Sequence, residues 1–263
     1  FIDALSASGL TTIEATSFVS PAAVPPLADA AEVMASINRR PGIRYPVLVP
    51  NERGLDRALD SGVDAIALFT SATEAFCEAN IGCTIEESFS RFGRVLARAK
   101  PAGLWIRGYV SVAFGCPYSG PVLPEAGIAV ALRLLELGCD EICIADTIGS
   151  ATPQKVGTFF EAASGQLPFQ ATALHVHDTH GHAVVNVAVA YDAGIRVFDG
   201  AAGGLGGCPF APGAAGNVAT ESLLAYFASR SIATGVDSNA IERAVNALRR
   251  HLRPPDAIDG KER

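Results

Sequence analysis

Short apolar runs alternate with amphipathic segments along the whole chain. The runs at residues 12–18, 45–49, 65–70, 104–114, 141–146, 171–178 and 196–201 predict strands. Helical patterns lie between them at 22–38, 52–61, 84–100, 124–137, 153–164 and 181–192, with further helices at 216–228 and 239–252. A strand recurs roughly every 30 residues, the length of one strand–helix unit in a parallel sheet. Ala65-Ile66-Ala67-Leu68-Phe69 is apolar throughout rather than alternating, as expected of a strand covered on both faces. Gly9, Gly62, Gly103, Gly138 and Gly194 each stand a few residues before a strand, where a helix must close.

Residues 1–10 read as the back half of an amphipathic helix closed by Gly9. Seven strand–helix units behind half a helix predict an α/β fold, a (β/α)8 TIM barrel whose first strand would precede residue 1. The barrel is expected to be a single catalytic domain over 1–263, with 236–263 as a C-terminal helical extension. An open doubly wound sheet is the rival fold. It would place a glycine-rich phosphate loop after the first strand, and no such loop is found there.

At 263 residues and 49% hydrophobic composition, the chain can bury a large core. Its net charge of −7, with no basic cluster longer than Arg39-Arg40 or Arg249-Arg250, argues against nucleic-acid and anionic-membrane partners. A local basic pocket for a phosphorylated ligand remains allowed. No apolar stretch approaches the roughly 20 residues needed to span a bilayer, and no signal peptide is recognisable. The expected location is the cytoplasm in a bacterium or the mitochondrial matrix in a eukaryote. Six scattered cysteines without a C-x-x-C fit a reducing compartment and mostly buried thiols.

Four of the five histidines fall in His175-Val176-His177-Asp178-Thr179-His180-Gly181-His182. His175 and His177 sit at the end of a predicted strand, where residues two apart point the same way. Two side-by-side imidazoles suit a divalent metal, and two unliganded histidines are the competing reading. Other strand ends carry Glu14, Asn51, Asp146 and Asp178. Polar groups gathered at one end of apolar strands are costly unless they pair or bind a ligand. Asn217 follows a glycine-rich loop and reads either as a helix N-cap or as an oxygen ligand. Imidazole, amide and carboxylate donors suit Mg²⁺ or Mn²⁺ better than tetrahedral Zn²⁺. Cys208 is the one cysteine set among loop glycines, and the stretch 203–216 is expected to be mobile.

Across essentially the whole chain, these motifs resemble the 3-hydroxy-3-methylglutaryl-CoA lyase family of metal-dependent barrel enzymes. The resemblance rests on Ile13-Glu14-Ala15-Thr16-Ser17-Phe18-Val19-Ser20-Pro21, Arg107-Gly108-Tyr109-Val110-Ser111, Gly115-Cys116-Pro117-Tyr118, Asp146-Thr147-Ile148-Gly149, His175-Val176-His177-Asp178-Thr179 and Gly204-Leu205-Gly206-Gly207-Cys208-Pro209-Phe210. It implies that His175, His177 and Asn217 hold the metal. It further implies proton transfer by His175 and Cys208, and places Asp146 and Glu14 in the catalytic pocket. The family's Arg-Asp-Gly motif on its first strand would lie before residue 1.

The implied reaction is a retro-aldol cleavage of an acyl-CoA substrate, 3-hydroxy-3-methylglutaryl-CoA, to acetyl-CoA and acetoacetate, by a protein that can assemble as a homo-oligomer. The alternatives are a 2-oxo-acid aldolase, a condensing enzyme of the same superfamily, or a catalytically inactive barrel.

Overall fold

The computed structural model describes residues 1–206 and 216–252. Seven strands form one sheet in the order β1 to β7, every neighbouring pair parallel: β1 (Thr16–Ser17), β2 (Val47–Leu48), β3 (Ala65–Ser71), β4 (Trp105–Ser111), β5 (Glu141–Asp146), β6 (Thr172–Val176) and β7 (Val197–Asp199). The α/β expectation therefore holds, with each strand pairing with its neighbour in sequence. Among the described residues β1 and β7 are the edges and do not pair with each other.

The first two strands are shorter than the pattern suggested, for a covalent reason. Ile13, Ala15 and Phe18 donate to the carbonyls of Arg44, Pro46 and Leu48, and Arg44 donates back to Thr11. Two residues on, Pro46 has no N–H to give, so the return rung is absent and the ladder reads as fragments.

Ten helices are described: α1 (Ile2–Ser6), α2 (Ala30–Ser36), α3 (Glu52–Asp60), α4 (Glu74–Ile81), α5 (Ile85–Ala99), α6 (Pro124–Leu137), α7 (Pro153–Ala163), α8 (Ala183–Ala193), α9 (Thr220–Ser229) and α10 (Ser238–Arg249). In α5, Thr84 and Glu87 form a capping box, and Phe89, Phe92, Val95, Leu96 and Ala99 make its buried stripe. Gly138 ends α6 in the left-handed conformation at φ 96°, which a side chain would resist.

Two expectations are corrected. The helix read at 22–38 is a 3-10 turn at Pro25–Leu27 followed by the shorter α2, because Pro25 and Pro26 interrupt helical hydrogen bonding. The stretch between β3 and α5, where the sequence pattern predicts no element, contains α4, capped by the Thr73 hydroxyl and closed by Gly82. The extra C-terminal helix is present as α10. It packs on α1, and the Asp237 N–H reaches Ser8 O at 2.7 Å.

The core lies between the sheet and its covering helices. Ile66, Leu68, Ile106, Val110, Ile142, Ile144, Leu174 and Val176 are all fully buried there. Alternate strand residues take the opposite, concave face.

Candidate active site

Register decides which side chains share the concave face. Ala67 stands beside Arg107, Arg107 beside Glu141, Tyr109 beside Cys143, Ala145 beside His175 and His175 beside Asp199. Arg107 Nη2 donates to Asp199 Oδ1 at 2.8 Å, although β4 and β7 are three strands apart. Tyr109 Oη likewise donates to Glu14 Oε2 at 2.9 Å, across to the β1 edge. In a flat sheet those strands would be about 14 Å apart, so both contacts require strong curling. Small Ala65 and Ala67 on the same face leave room for the guanidinium.

Arg107 is only 4% exposed and meets several partners. Its Nη1 donates to Tyr109 Oη at 3.0 Å. Its Nε lies 3.0 Å from Glu141 Oε1, close enough for charge pairing but out of line for a hydrogen bond. Burial works against the Asp199 carboxylate, yet Arg107 and His175 hold it well below the usual carboxylate range. Cys143 Sγ donates to Asp199 Oδ2 at 3.5 Å, and burial pushes that thiol far up, so it remains protonated. Glu14 reaches solvent at the β1 edge, so the upward push that its crowded surroundings exert on its carboxyl is moderated by water.

His175 and His177 point the same way, with ring centroids 5.2 Å apart. His175 Nδ1 faces Asp199 Oδ2 at 3.5 Å. His177 is buried, and its Nδ1 has no hydrogen-bond partner. Burial, with His175 as neighbour, lowers its pKa from 6.5 to about 4, which leaves the imidazole neutral near pH 7. The segment 216–218 runs beside the end of β6. Asp178 N donates to Gly216 O, Val218 N to Val176 O, and an isolated bridge pairs His177 with Asn217. Asn217 Nδ2 donates to Leu205 O at 3.0 Å, which commits the amide nitrogen and leaves the oxygen as the available ligand atom. Helix α9 starts beyond it, with Ala219 at the cap position, so Asn217 is not a helix N-cap.

Asp146 ends β5 and is 1% exposed. Its carboxylate accepts from Ser150 N at 2.9 Å and Ala151 N at 3.1 Å, folding the loop that follows. Burial raises its pKa from 3.8 to about 6, against the pull of those N–H groups, Lys155 and His175. A carboxyl there can exchange a proton near neutral pH.

The structure thus gathers His175, His177, Asn217 and Glu14 around the concave face and its rims, and sets Asp146 at the C-terminal end of β5 in register with Val176, where it still feels the charge of His175. Cys208 lies outside the described residues. Arg107, Tyr109 and Asp199 form the network that sequence reasoning did not assign. Cys143 is buried, as expected of most of the thiols, but also contacts Asp199. Among the described residues no three His, Cys, Asp or Glu side chains group as a metal site. The candidate donor set is instead two imidazoles and an amide. The neutral, buried and unpartnered Nδ1 of His177 fits a cation ligand better than a packing histidine.

The HMGL-like family model matches residues 1–248. The chain is 48% identical over 244 residues to the cytoplasmic 3-hydroxy-3-methylglutaryl-CoA lyase of Rattus norvegicus, covering 93% of this chain and 71% of that protein. An HMG-CoA lyase structure from Brucella melitensis superposes with a TM-score of 0.91 at 48% identity, covering 95% of this chain and 89% of that one. Another, from Acinetobacter baumannii in complex with coenzyme A and 3-methylmalate, gives a TM-score of 0.89 at 37% identity, covering 99% and 87%. Curled parallel sheet, paired imidazoles and similarity over nearly the whole chain lead to one assignment: this protein belongs to the HMGL-like family.

Proposed function

We propose that the protein is a 3-hydroxy-3-methylglutaryl-CoA lyase, cleaving its substrate to acetyl-CoA and acetoacetate. The observation that carries this reading is the orphaned His177 nitrogen beside His175 and Asn217, in a chain so similar to proteins of that name. The reaction removes the proton of a tertiary hydroxyl, breaks the adjacent C–C bond, and releases a ketone and a thioester enolate. That enolate then takes a proton at carbon.

His175, His177 and Asn217 are the residues that would hold a divalent cation, Mg²⁺ or Mn²⁺. Bound there, it would supply Lewis acidity towards the substrate hydroxyl. Neutral His177 serves as a ligand without first losing a proton. Asp146, with its raised pKa, is the group able to take the hydroxyl proton while His175 is engaged as a ligand; His175 could take it only when its Nε2 is not held by the cation. Tyr109 holds the Glu14 carboxylate at the opposite rim. Cys208 is assigned the return of a proton to the enolate carbon, on the motif that carries it rather than on its placement.

A cleft of about 590 Å³ lies against the ends of β1 and β2, lined by Phe18, Ser20, Asn51, Arg53 and Arg57 among others. Exposed Arg53 gives it the positive charge that coenzyme A phosphates require, and the Acinetobacter relative was solved with coenzyme A. No helix among the described residues is long and apolar enough to cross a membrane. A reducing compartment, cytoplasm or mitochondrial matrix, is the setting we infer from the unpaired thiols.

The test is incubation with 3-hydroxy-3-methylglutaryl-CoA and Mg²⁺ or Mn²⁺, with acetoacetate and acetyl-CoA measured and a chelator control. Equal amounts of both products, lost on chelation, are expected. Condensation of acetyl-CoA with a 2-oxo acid in the absence of cleavage would overturn the assignment.

A further inference from the structure

Arg107 lies deep in the concave face, yet its guanidinium divides between two opposite rims of the site. One side donates from Nη2 to Asp199 Oδ1 at 2.8 Å. The other donates from Nη1 to Tyr109 Oη at 3.0 Å. These bonds have a direction, because arginine can only donate and a carboxylate can only accept. Having accepted from Arg107, the Tyr109 oxygen turns its own hydrogen to Glu14 Oε2 at 2.9 Å. On the other side, Asp199 Oδ1 is taken by Arg107, and Oδ2 faces His175 Nδ1 and Cys143 Sγ, each at 3.5 Å.

We propose that Arg107 is a positioning residue with two arms, holding His175 in its Nδ1–H tautomer through Asp199 and orienting Glu14 through Tyr109. The tautomer matters because it leaves the other ring nitrogen, Nε2, with its lone pair free for a cation or a substrate proton. The conjugated geometry of the guanidinium makes this possible. A lysine at 107 would present a single point charge and could not hold both rims in fixed directions. Glu141, beside the Nε edge, balances charge without taking either arm. The significance of the tautomer rests on the proposed lyase reading, but the tautomer itself can be observed without turnover.

Asp199→Asn offers a sharp test. Arg107 keeps the amide oxygen, since it must donate, so the amide NH₂ replaces Oδ2 and faces His175. Nδ1 then has to accept, and the tautomer reverses to Nε2–H. Metal-free protein labelled with ¹⁵N-histidine, examined by long-range ¹H–¹⁵N correlation, reads this directly. Native protein and Tyr109→Phe should both show His175 as Nδ1–H, and Asp199→Asn should show Nε2–H.

Titrated with Mn²⁺, Asp199→Asn should bind at least about tenfold more weakly, the usual effect of losing such a support. Tyr109→Phe should bind within about twofold of native and lose turnover through Glu14 alone. Should Asp199→Asn fail to fold, Arg107→Lys replaces it, with mixed His175 tautomers expected. Nε2–H in the native protein, or an unchanged tautomer in the variant that folds, would overturn the proposal, as would loss of thermal stability with no change in tautomer or Mn²⁺ affinity. Expected tautomers in a protein that does not cleave 3-hydroxy-3-methylglutaryl-CoA to acetyl-CoA and acetoacetate would sink the lyase reading and leave the positioning role in place.

Discussion

His177 and Asn217 face each other across an isolated antiparallel backbone bridge, which brings an imidazole from the end of β6 beside an amide preceding α9. If these two groups and His175 hold the cation, removing either should weaken Mn²⁺ binding well beyond the effect of disturbing a supporting residue. His177→Ala and Asn217→Ala are each expected to weaken it by more than about 100-fold, with the fold retained. Calorimetric titration with Mn²⁺ and a thermal melt measure the two quantities. Near-native affinity in both variants would remove the bridge from the metal site.

Stability of the metal-free protein should respond to acid through two groups of opposite sign. His177 is depressed from 6.5 to about 4 by burial, so the unfolded chain takes up its proton first. Its contribution is complete above pH 6.5 and is lost as pH falls towards 4. Asp146 is raised from 3.8 to about 6 by burial, so its contribution is present below pH 3.8 and is lost as pH rises through 6. The two oppose each other between pH 4 and 6. Asp146→Asn removes one of them, so its urea midpoint should climb more steeply with pH across that window than the native midpoint. Parallel profiles would contradict the burial of one or the other.

Gly149 sits at φ 67° in the loop that Asp146 folds, and a Cβ there would lie 2.3 Å from Thr179 Oγ1. Gly149→Ala therefore combines left-handed strain of about 1–2 kcal/mol with a clash against the segment following His177 and Asp178. We expect lower stability and weaker Mn²⁺ binding together. A variant that melts lower but binds Mn²⁺ normally would show that the two loops move independently of the imidazoles.

Two cysteines should separate chemistry from packing. Cys208→Ser is expected to lower kcat by on the order of 100-fold while Mn²⁺ affinity and melting temperature stay near native, because a hydroxyl is a far weaker acid towards the enolate. Cys139 is buried against Gly108, and burial pushes its thiol up to about 12. Cys139→Ser should cost about 1–3 kcal/mol of stability through an ill-satisfied hydroxyl, with turnover preserved. Unchanged kcat in Cys208→Ser would exclude that thiol from proton transfer.

The alternation of strands and helices was legible because each strand is an apolar run and several helices close on a glycine. What escaped had physical reasons. Helix α4 spans only Glu74–Ile81 and carries no clear apolar stripe, so its Thr73 cap and Gly82 terminus were the only signals. The imidazole pair was readable from spacing alone, because strand residues two apart share a face. Arg107 and Asp199 were not, since their contact exists only once the sheet curls across three strands. A clue was present in the arginine itself, set among Trp105, Ile106 and Val110, where an unpaired charge would be untenable. Cys143 shares its parity with Glu141 on β5, which marks it as a concave-face residue despite its apolar neighbours.

The ladder is uneven. β3 and β4 pair over seven residues, but β1 and β2 over two and β6 and β7 over three. Arg107, Tyr109 and Asp146 therefore stand on the strongly laddered middle, and Glu14 and Asp199 at its weakly laddered margins. Local opening has its lowest free energy where few backbone bonds must break. On warming, the two rims would part from the centre before the middle strands melt, and the protein would fall silent as a catalyst while its circular dichroism still looked intact.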